Sequence, residues 1–302
     1  MSELKIKKRK SWQLFSKRDI IDLIKYKDLL FTLVKRDVNV VYKQSVLGFG
    51  WAIVKPLIQM VIFTFLFTYI ANVQMDGDNV PYAVFSFVAL VPFTYFSAAL
   101  TASTSSLISN EAFITKVYFP RIIIPIVPII AKLVDFGVAF AVLIGMLVYY
   151  YYSSPGSINI SYNILVLPIL IAMLVAFSLG ISLWFSAMAI QYRDLNQIVT
   201  FLAQLMMYAA PIVWPYSRLM SIANDAEKWI GIKGFANFIE TAYSFFPLAG
   251  IIEGFRSALI GGSAYGEMPY GLLLNGGITT LFLLITGLYF FRSKESIFAD
   301  VA

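Results

Sequence analysis

Six long runs of apolar residues divide this sequence, and each is long enough to cross a membrane as a helix. A bilayer core about 30 Å thick requires roughly 20 helical residues. The runs are 52–71, 81–101, 122–152, 164–190, 197–216 and 270–291. Pro211 and Pro215 interrupt the fifth run, which can therefore end early. The pattern predicts an all-α integral membrane protein with six transmembrane helices.

The basic residues outside these runs predict an orientation. Lys and Arg are absent from the first and third short connections. They occur in the second and fourth connections and in the C-terminal tail, at Lys116, Arg121, Arg193, Arg292 and Lys294. Because such residues accumulate on the cytoplasmic side, both termini are expected on the cytoplasmic side of an inner membrane. The long segment 217–269 would then lie outside.

Composition narrows the classes of function. The chain has no Cys and no His, which excludes disulfides and the commonest metal ligands. Thirteen of the 23 Lys and Arg precede residue 56, so the net charge of +6 suits anionic lipid headgroups better than nucleic acid. A G-x-x-x-x-G-K-[ST] phosphate loop is also absent from the sequence. We expect an N-terminal arm, 1–50, and one membrane domain, 51–302.

Residues 20–43 have the pattern of an amphipathic helix lying along the membrane surface. Apolar residues recur at three- and four-residue spacing. They are Leu23, Tyr26, Leu30, Val34, Val38 and Val41. Two interpretations stay open: a plain membrane anchor, or a docking surface for a cytoplasmic partner.

The connection 107–121 is too long for a tight turn. Asn110 is placed to cap a short helix that has Glu111 in its first turn, and Pro120 would end it. The alternative is a solvated loop.

Two charged residues, Lys132 and Asp135, lie within the third run. Either charge at the bilayer centre would cost roughly 2.5–3.5 kcal/mol, so a partner is expected. Their i,i+3 spacing lets them pair with each other. An ion relay is the alternative. It would need a series of titratable residues across the membrane, and the other runs supply only Lys55.

The outside segment from Trp229 to Gly262 is unusually apolar for a loop. Pro247 divides it into two pieces, each at or below the length of a membrane span. Re-entrant or interfacial helices fit better than two further spans, although charge bias does not separate these alternatives. Glu253 and Arg256 are spaced to pair within the second piece.

Several short stretches, in this order, resemble the membrane subunits of ABC-2 type polysaccharide exporters, the Wzm, TagG and KpsM-like permeases. The stretches are Lys35–Asp37, Tyr42–Ser45, Leu47–Gly48, Trp51, Pro56–Leu57, Lys116–Arg121, Tyr192–Leu195 and Ile252–Arg256. The chain departs from the family at Phe246, where an Asn usually precedes the proline.

The resemblance implies a homodimer of six-helix subunits joined to two copies of a separate ABC ATPase, which would bind ATP and Mg. This chain would then be no enzyme and would hold no cofactor and no metal. The substrate would be a lipid-linked polysaccharide, with O-antigen as the first choice and teichoic acid or capsule as alternatives. The chain would also contact membrane lipids, and it is not expected to bind nucleic acid. The implied ATPase-coupling residues are Arg36, Asp37, Glu111, Lys116, Tyr118, Arg193 and Asp194. Pro247, Glu253 and Arg256 would belong to gate helices at the exit.

Aromatic residues are the candidates for lining a glycan conduit, because their faces stack on sugar C–H surfaces without a fixed register. The candidates are Phe63, Phe67, Tyr69, Phe93, Tyr95, Tyr208 and Trp214. The alternative is that these rings form the aromatic belts found at both membrane interfaces.

Three other functions are the alternatives. A membrane glycosyl- or acyltransferase would need converging acids, and Asp135 is the only carboxylate deep in a run. An ABC-2 exporter of small hydrophobic compounds would use a closed pocket instead of a continuous route. A stand-alone channel would act without ATP.

Overall fold

The structure is a computed structural model. It describes residues 24–43, 48, 50–70, 80–117, 119–159, 161–192, 194–261, 265 and 267–295. Helices account for all the regular structure in these ranges, as the all-α prediction requires.

The helices follow one another along the chain with short connections. They are α1 (Lys27–Lys43), α2 (Gly50–Thr64), α3 (Tyr82–Ser109), α4 (Glu111–Lys116), α5 (Ile123–Ser153), α6 (Leu167–Ala189), α7 (Leu195–Ala209), α8 (Tyr216–Ile230), α9 (Phe235–Ser244), α10 (Pro247–Leu259) and α11 (Tyr270–Lys294). The π-helical turns Phe65–Ile70 extend α2, and the 3₁₀ helix Tyr162–Val166 leads into α6.

Five of the six predicted spans are confirmed as helices that are long and apolar enough to cross a membrane, counted over the described residues. They are Gly50–Ile70, Tyr82–Ser109, Ile123–Ser153, Tyr162–Ala189 and Tyr270–Lys294. A sixth is reached if α9 and α10, which are bent by 76° at the residues between them, form one broken span.

The prediction for the fifth span, 197–216, is wrong in its extent. Helix α7 has 15 residues and ends at Ala209, so it is about 22 Å long and shorter than the hydrocarbon core. Pro211 and Pro215 cannot donate a backbone hydrogen bond, and helical structure resumes only at Tyr216. The amphipathic helix α8 that follows was not predicted.

Helix α3 is the centre of the subunit. It packs against α2, α5, α6, α7 and α10, and most of its side chains are buried. Phe85, Phe87 and Phe96 are fully enclosed, and Phe96 stacks on Phe177 of α6 with 5.0 Å between ring centroids. A helix that is apolar on every side can be surrounded in this way.

Helix α11 lies close to α10 because each helix presents a glycine to the other. A Cβ added to Gly250 of α10 would lie 2.8 Å from the Leu272 carbonyl oxygen of α11. Gly276 of α11 is similarly close to Pro247, whereas Gly277 has open space around it. The close packing expected of small residues in membrane helices is thus present at Gly276.

The buried residues around α3 form the main apolar core. A second apolar cluster, separate from this core, lies where the ends of several helices meet at one end of the bundle. It contains Leu33, Leu107, Ile114, Phe119, Ile123, Leu183 and Phe291. Tyr26, just before α1, and Leu30 and Val34 of α1 pack against it, as the predicted stripe requires. Val41, which the prediction placed on the same stripe, is exposed, and Leu23 lies outside the described residues.

Candidate functional site

Helix α1 is joined to the corner between α3 and α4 by one arginine. The Arg36 guanidinium donates to Asp37 Oδ1 at 2.9 Å and to Asn110 Oδ1 at 2.9 Å. Asn110 also donates through Nδ2 to the Ser106 carbonyl. The predicted short helix is present as α4, with Asn110 at the N-cap position and Glu111 in the first turn, but the Asn110 side chain makes the two contacts above and does not cap the helix.

The charged residues expected at a partner interface lie at this end of the bundle. Glu111 and Lys116 are exposed on α4, which directly follows Asn110. Asp194 is exposed just before α7; it follows α6, whose last turns pack in the second apolar cluster. Tyr118 and Arg193 lie outside the described residues. The arrangement is a polar surface carried on a rigid apolar base.

The ion pair predicted within the third run is present. Lys132 Nζ lies 2.9 Å from Asp135 Oδ2, and both side chains are about a quarter exposed at 23% and 28%. Lys55 of α2 and Asp37 of α1 lie within electrostatic range of Lys132. The two charges of α5 are therefore paired with each other.

Helix α7 carries a polar stripe on an exposed side. Gln197, Thr200, Gln204 and Tyr208 recur at three- and four-residue spacing, and all are exposed. Asn196, Gln197, Thr200, Phe201 and Gln204 border a shallow, open depression on the same helix. Sequence reasoning missed Gln197, Thr200 and Gln204, although polar residues at helical spacing in an apolar run were the signal. Such a stripe is costly against lipid and favours contact with water or another protein surface.

The seven candidate conduit aromatics separate into three groups. Tyr69 and Tyr208 are exposed, at 76% and 69%. Phe67 and Trp214 are half-buried and contact each other. Phe63, Phe93 and Tyr95 are buried within the subunit, and the Tyr95 hydroxyl donates to the Ile129 carbonyl. Their burial identifies these last three as packing residues between helices of one subunit.

At the opposite side of the bundle, the predicted Glu253–Arg256 pair is present in α10. The two side chains approach to 2.7 Å, with Arg256 fully buried. The Arg256 guanidinium also lies over the Phe85 ring, 3.6 Å from its centroid. Pro247 begins α10 and packs under Gly276 of α11.

Comparisons with known proteins match this chain to one family. The ABC-2 type transporter family matches residues 28–225. The O-antigen export system permease protein RfbA of Klebsiella pneumoniae is 29% identical over 274 residues, which are 91% of this chain and 95% of that protein. RfbA of Myxococcus xanthus is 27% identical over 67% of this chain and 74% of its own length. The polysialic acid transport protein KpsM of Escherichia coli is 24% identical over 87% of this chain and 92% of its own.

Proposed function

The chain belongs to the ABC-2 type transporter family, and we propose that it is the membrane subunit of an ABC exporter for a lipid-linked polysaccharide. The observation that carries this assignment is the match to O-antigen export permeases over about nine-tenths of both chains. O-antigen is therefore the proposed polymer. Capsule and teichoic acid are the alternatives within the same class, and a polysialic acid transport protein also matches over most of its length.

The proposed topology places both termini in the cytoplasm of a bacterial cell. Helix α1 then lies along the inner surface of the membrane as an interface helix. This is supported by its packing on the second apolar cluster and by exposed Lys35 and Lys43 on its other sides. The charge bias of the short connections supports the same orientation.

The proposed power source is a separate ABC ATPase, present in two copies, that binds ATP and Mg. We assign its docking to Arg36, Asp37, Glu111, Lys116 and Asp194, because an exposed, charged surface suits a polar and separable interface. Tyr118 and Arg193 are assigned to the same surface from the family resemblance alone. Nucleotide binding by the ATPase would shift the membrane subunits between arrangements through differential contacts at this surface.

The conduit is proposed to form between two copies of this chain, with α7 facing it. The exposed stripe of Gln197, Thr200 and Gln204 supports this, since amide and hydroxyl groups can exchange hydrogen bonds with sugar hydroxyls and water. Tyr208 and Tyr69 add exposed rings on which sugar C–H faces can stack. Loose, sliding contact of this kind suits a polymer better than a closed pocket does.

Helices α9 and α10 are proposed to be re-entrant gate helices at the outer end of the conduit. Each is shorter than a membrane span, with 10 and 13 residues, and the bend between them is 76°. A re-entrant pair enters and leaves the membrane on the same side, and its irregular backbone is tolerated where protein covers it.

The function is tested by deleting the chromosomal copy and supplying the gene in trans. We expect the deletion to abolish surface polysaccharide and to leave lipid-linked polymer on the cytoplasmic side, with the plasmid copy restoring export. A plasmid copy with a stop codon in α1 is the matched control. Unchanged surface polymer in the deletion strain would refute the proposal.

A further inference from the structure

The break between α7 and α8 is buried although it is not helical. Ala210, Pro211, Ile212 and Val213 are all buried. Helix α7 ends at Ala209 and two prolines prevent its continuation, so carbonyl groups at its end and in the break need partners outside the helix ladder. In a membrane protein an unsatisfied backbone group is especially costly.

Three carbonyls at this break accept hydrogen bonds from side chains, counted over the described residues. Arg256 Nη2 of α10 donates to the Ile212 carbonyl at 3.0 Å. The Tyr82 hydroxyl of α3 donates to the Val213 carbonyl at 3.2 Å. The Tyr243 hydroxyl of α9 donates to the Ala209 carbonyl. The donors come from three different helices.

Glu253 joins the start of α8 to the same group. Its Oε1 accepts from Arg256 Nη1 at 2.7 Å and from the Tyr216 backbone N–H at 3.0 Å. Tyr216 is the first residue of α8, where backbone N–H groups have no partner in the helix. A carboxylate at this position also interacts favourably with the helix dipole.

We propose that Tyr82, Tyr243, Glu253 and Arg256 form a clamp that makes the outer end of α7 move as one body with α9 and α10. The clamp residues are positioning residues, and their role in transport rests on the proposed function. Apolar side chains could fill the same volume, but they could not satisfy the carbonyls or fix their direction. Charge-assisted hydrogen bonds are the stronger kind, and Arg256 and Glu253 make three of them.

The clamp has a mechanical consequence for gating. Because Tyr82 and Phe85 belong to the central helix α3, the clamp also joins the break to the core of the subunit. Helix α7 therefore cannot slide past α10 while the clamp is intact. The outer ends of α3, α7, α9 and α10 would change position together, relative to the second copy.

The test compares a clamp variant with a matched exposed pair. Glu253→Gln/Arg256→Met keeps the side-chain volume and leaves no unpaired charge, which favours folding. Asp225→Asn/Lys228→Met is the control, because this i,i+3 pair on α8 is exposed at 76% and 78%. Tyr243→Phe removes one hydroxyl alone, with Tyr289→Phe of α11 as its control.

Distances are measured by spin labelling at Leu205→Cys of α7 and Glu240→Cys of α9, since the chain contains no native Cys. Doubly labelled copies are diluted with unlabelled ones, and the complete complex with its ATPase is compared with and without ATP. In the otherwise unaltered chain we expect the same narrow distribution in both states. In the clamp variant the distribution should broaden or differ between the states.

Export per ATP hydrolysed by the folded complex should fall at least about tenfold in Glu253→Gln/Arg256→Met, and its melting temperature should lie below that of the control pair because the Ile212 carbonyl loses its donor. Tyr243→Phe should show a smaller fall in export per ATP hydrolysed. If the double variant does not fold, the comparison of Tyr243→Phe with Tyr289→Phe tests the clamp instead. A distance that changes with ATP in the unaltered chain would overturn the clamp, as would a clamp variant that exports like its control. Absence of any polysaccharide export would refute the proposed function instead, and the distance comparison would still decide the clamp.

Discussion

Gly180 of α6 and Gly287 of α11 meet backbone to backbone. A Cβ added to Gly180 would lie 2.8 Å from the Leu284 backbone nitrogen, and one added to Gly287 would meet the Gly180 carbonyl oxygen. Neither neighbour is a flexible side-chain end, so the two helices would have to separate. This contact holds the last membrane helix against the subunit core.

Gly180→Ala and Gly287→Ala should each destabilise the purified chain by about 1–3 kcal/mol, because overpacking a tight contact displaces backbone. Gly277→Ala is the control on the same helix, since nothing lies within 4 Å of the added carbon. It should be neutral or stabilising by about 0.5–1 kcal/mol, as expected for replacing glycine within a helix. Melting curves in one detergent measure the difference. Equal changes in stability for Gly277→Ala and Gly287→Ala would contradict the close contact between α6 and α11.

Apolar substitutions of the exposed polar residues on α7 should impair export without affecting folding. Gln204→Leu and Thr200→Val replace exposed polar groups with apolar ones, so the melting temperature should hold while polysaccharide export falls severalfold. Tyr208→Phe keeps the ring for stacking and should export well, whereas Tyr208→Ala should not. Phe282→Ala, at an exposed ring of α11, is the control. Surface polymer is quantified at matched membrane levels, and normal export by Gln204→Leu and Tyr208→Ala would exclude α7 from the conduit.

The Lys132–Asp135 pair should behave as a structural pair and not as an ion relay. Lys132→Met leaves the Asp135 carboxylate without its 2.9 Å partner and should cost about 2–3 kcal/mol. Lys132→Met/Asp135→Asn removes both charges and should restore most of the stability and the export. Amounts of folded protein in the membrane and surface polymer provide the two measurements. A double variant that is stable but exports nothing would point to a relay.

Acid should open the turn between α8 and α9 through Glu227. Its carboxylate accepts from the backbone N–H groups of Ala236 at 2.8 Å and Gly234 at 3.1 Å. These hydrogen bonds hold the pKa of Glu227 below its usual value, and the one from Ala236 has the larger effect. Because the folded pKa is depressed, the stabilisation is present above the unfolded pKa and is lost as the pH falls through the folded pKa.

Amide hydrogen exchange at Gly234 and Ala236 measures this opening. Corrected for the intrinsic pH dependence of exchange, protection should be constant near neutrality and should fall at acid pH. Glu227→Gln should lower protection at neutral pH and remove the pH dependence, whereas Glu240→Gln on α9 should change neither. Protection in Glu227→Gln that still falls with acid would assign the effect to another group.

Hydropathy and length were sufficient to predict the long helices, since an uncharged apolar run such as 164–190 is stable in a bilayer as a spanning helix. Spacing was sufficient for the ion pairs Lys132–Asp135 and Glu253–Arg256, because residues three apart share a helix face. The side on which Phe93 and Tyr95 lie could not be predicted. Helix α3 is apolar on all sides, so periodicity carries no information about which side is central.

The clamp lies beyond sequence reasoning for a different reason. Tyr82 and Val213 are 131 positions apart, and their contact depends on how α3 and α7 pack. Pro211 and Pro215 did indicate that the fifth span ends early, but not which side chains would satisfy the carbonyls there. Asn110 had the sequence features of a helix cap, and a contact with Arg36 from α1 replaced that role.

ATP-driven translocation in proteoliposomes tests most directly whether this membrane subunit depends on a separate motor. The purified chain is reconstituted with and without its ABC ATPase, and lipid-linked polysaccharide reaching the opposite side is measured with ATP or with a non-hydrolysable analogue. We expect translocation only when the ATPase and hydrolysable ATP are both present. Equal translocation by the chain alone, without nucleotide, would contradict the assignment.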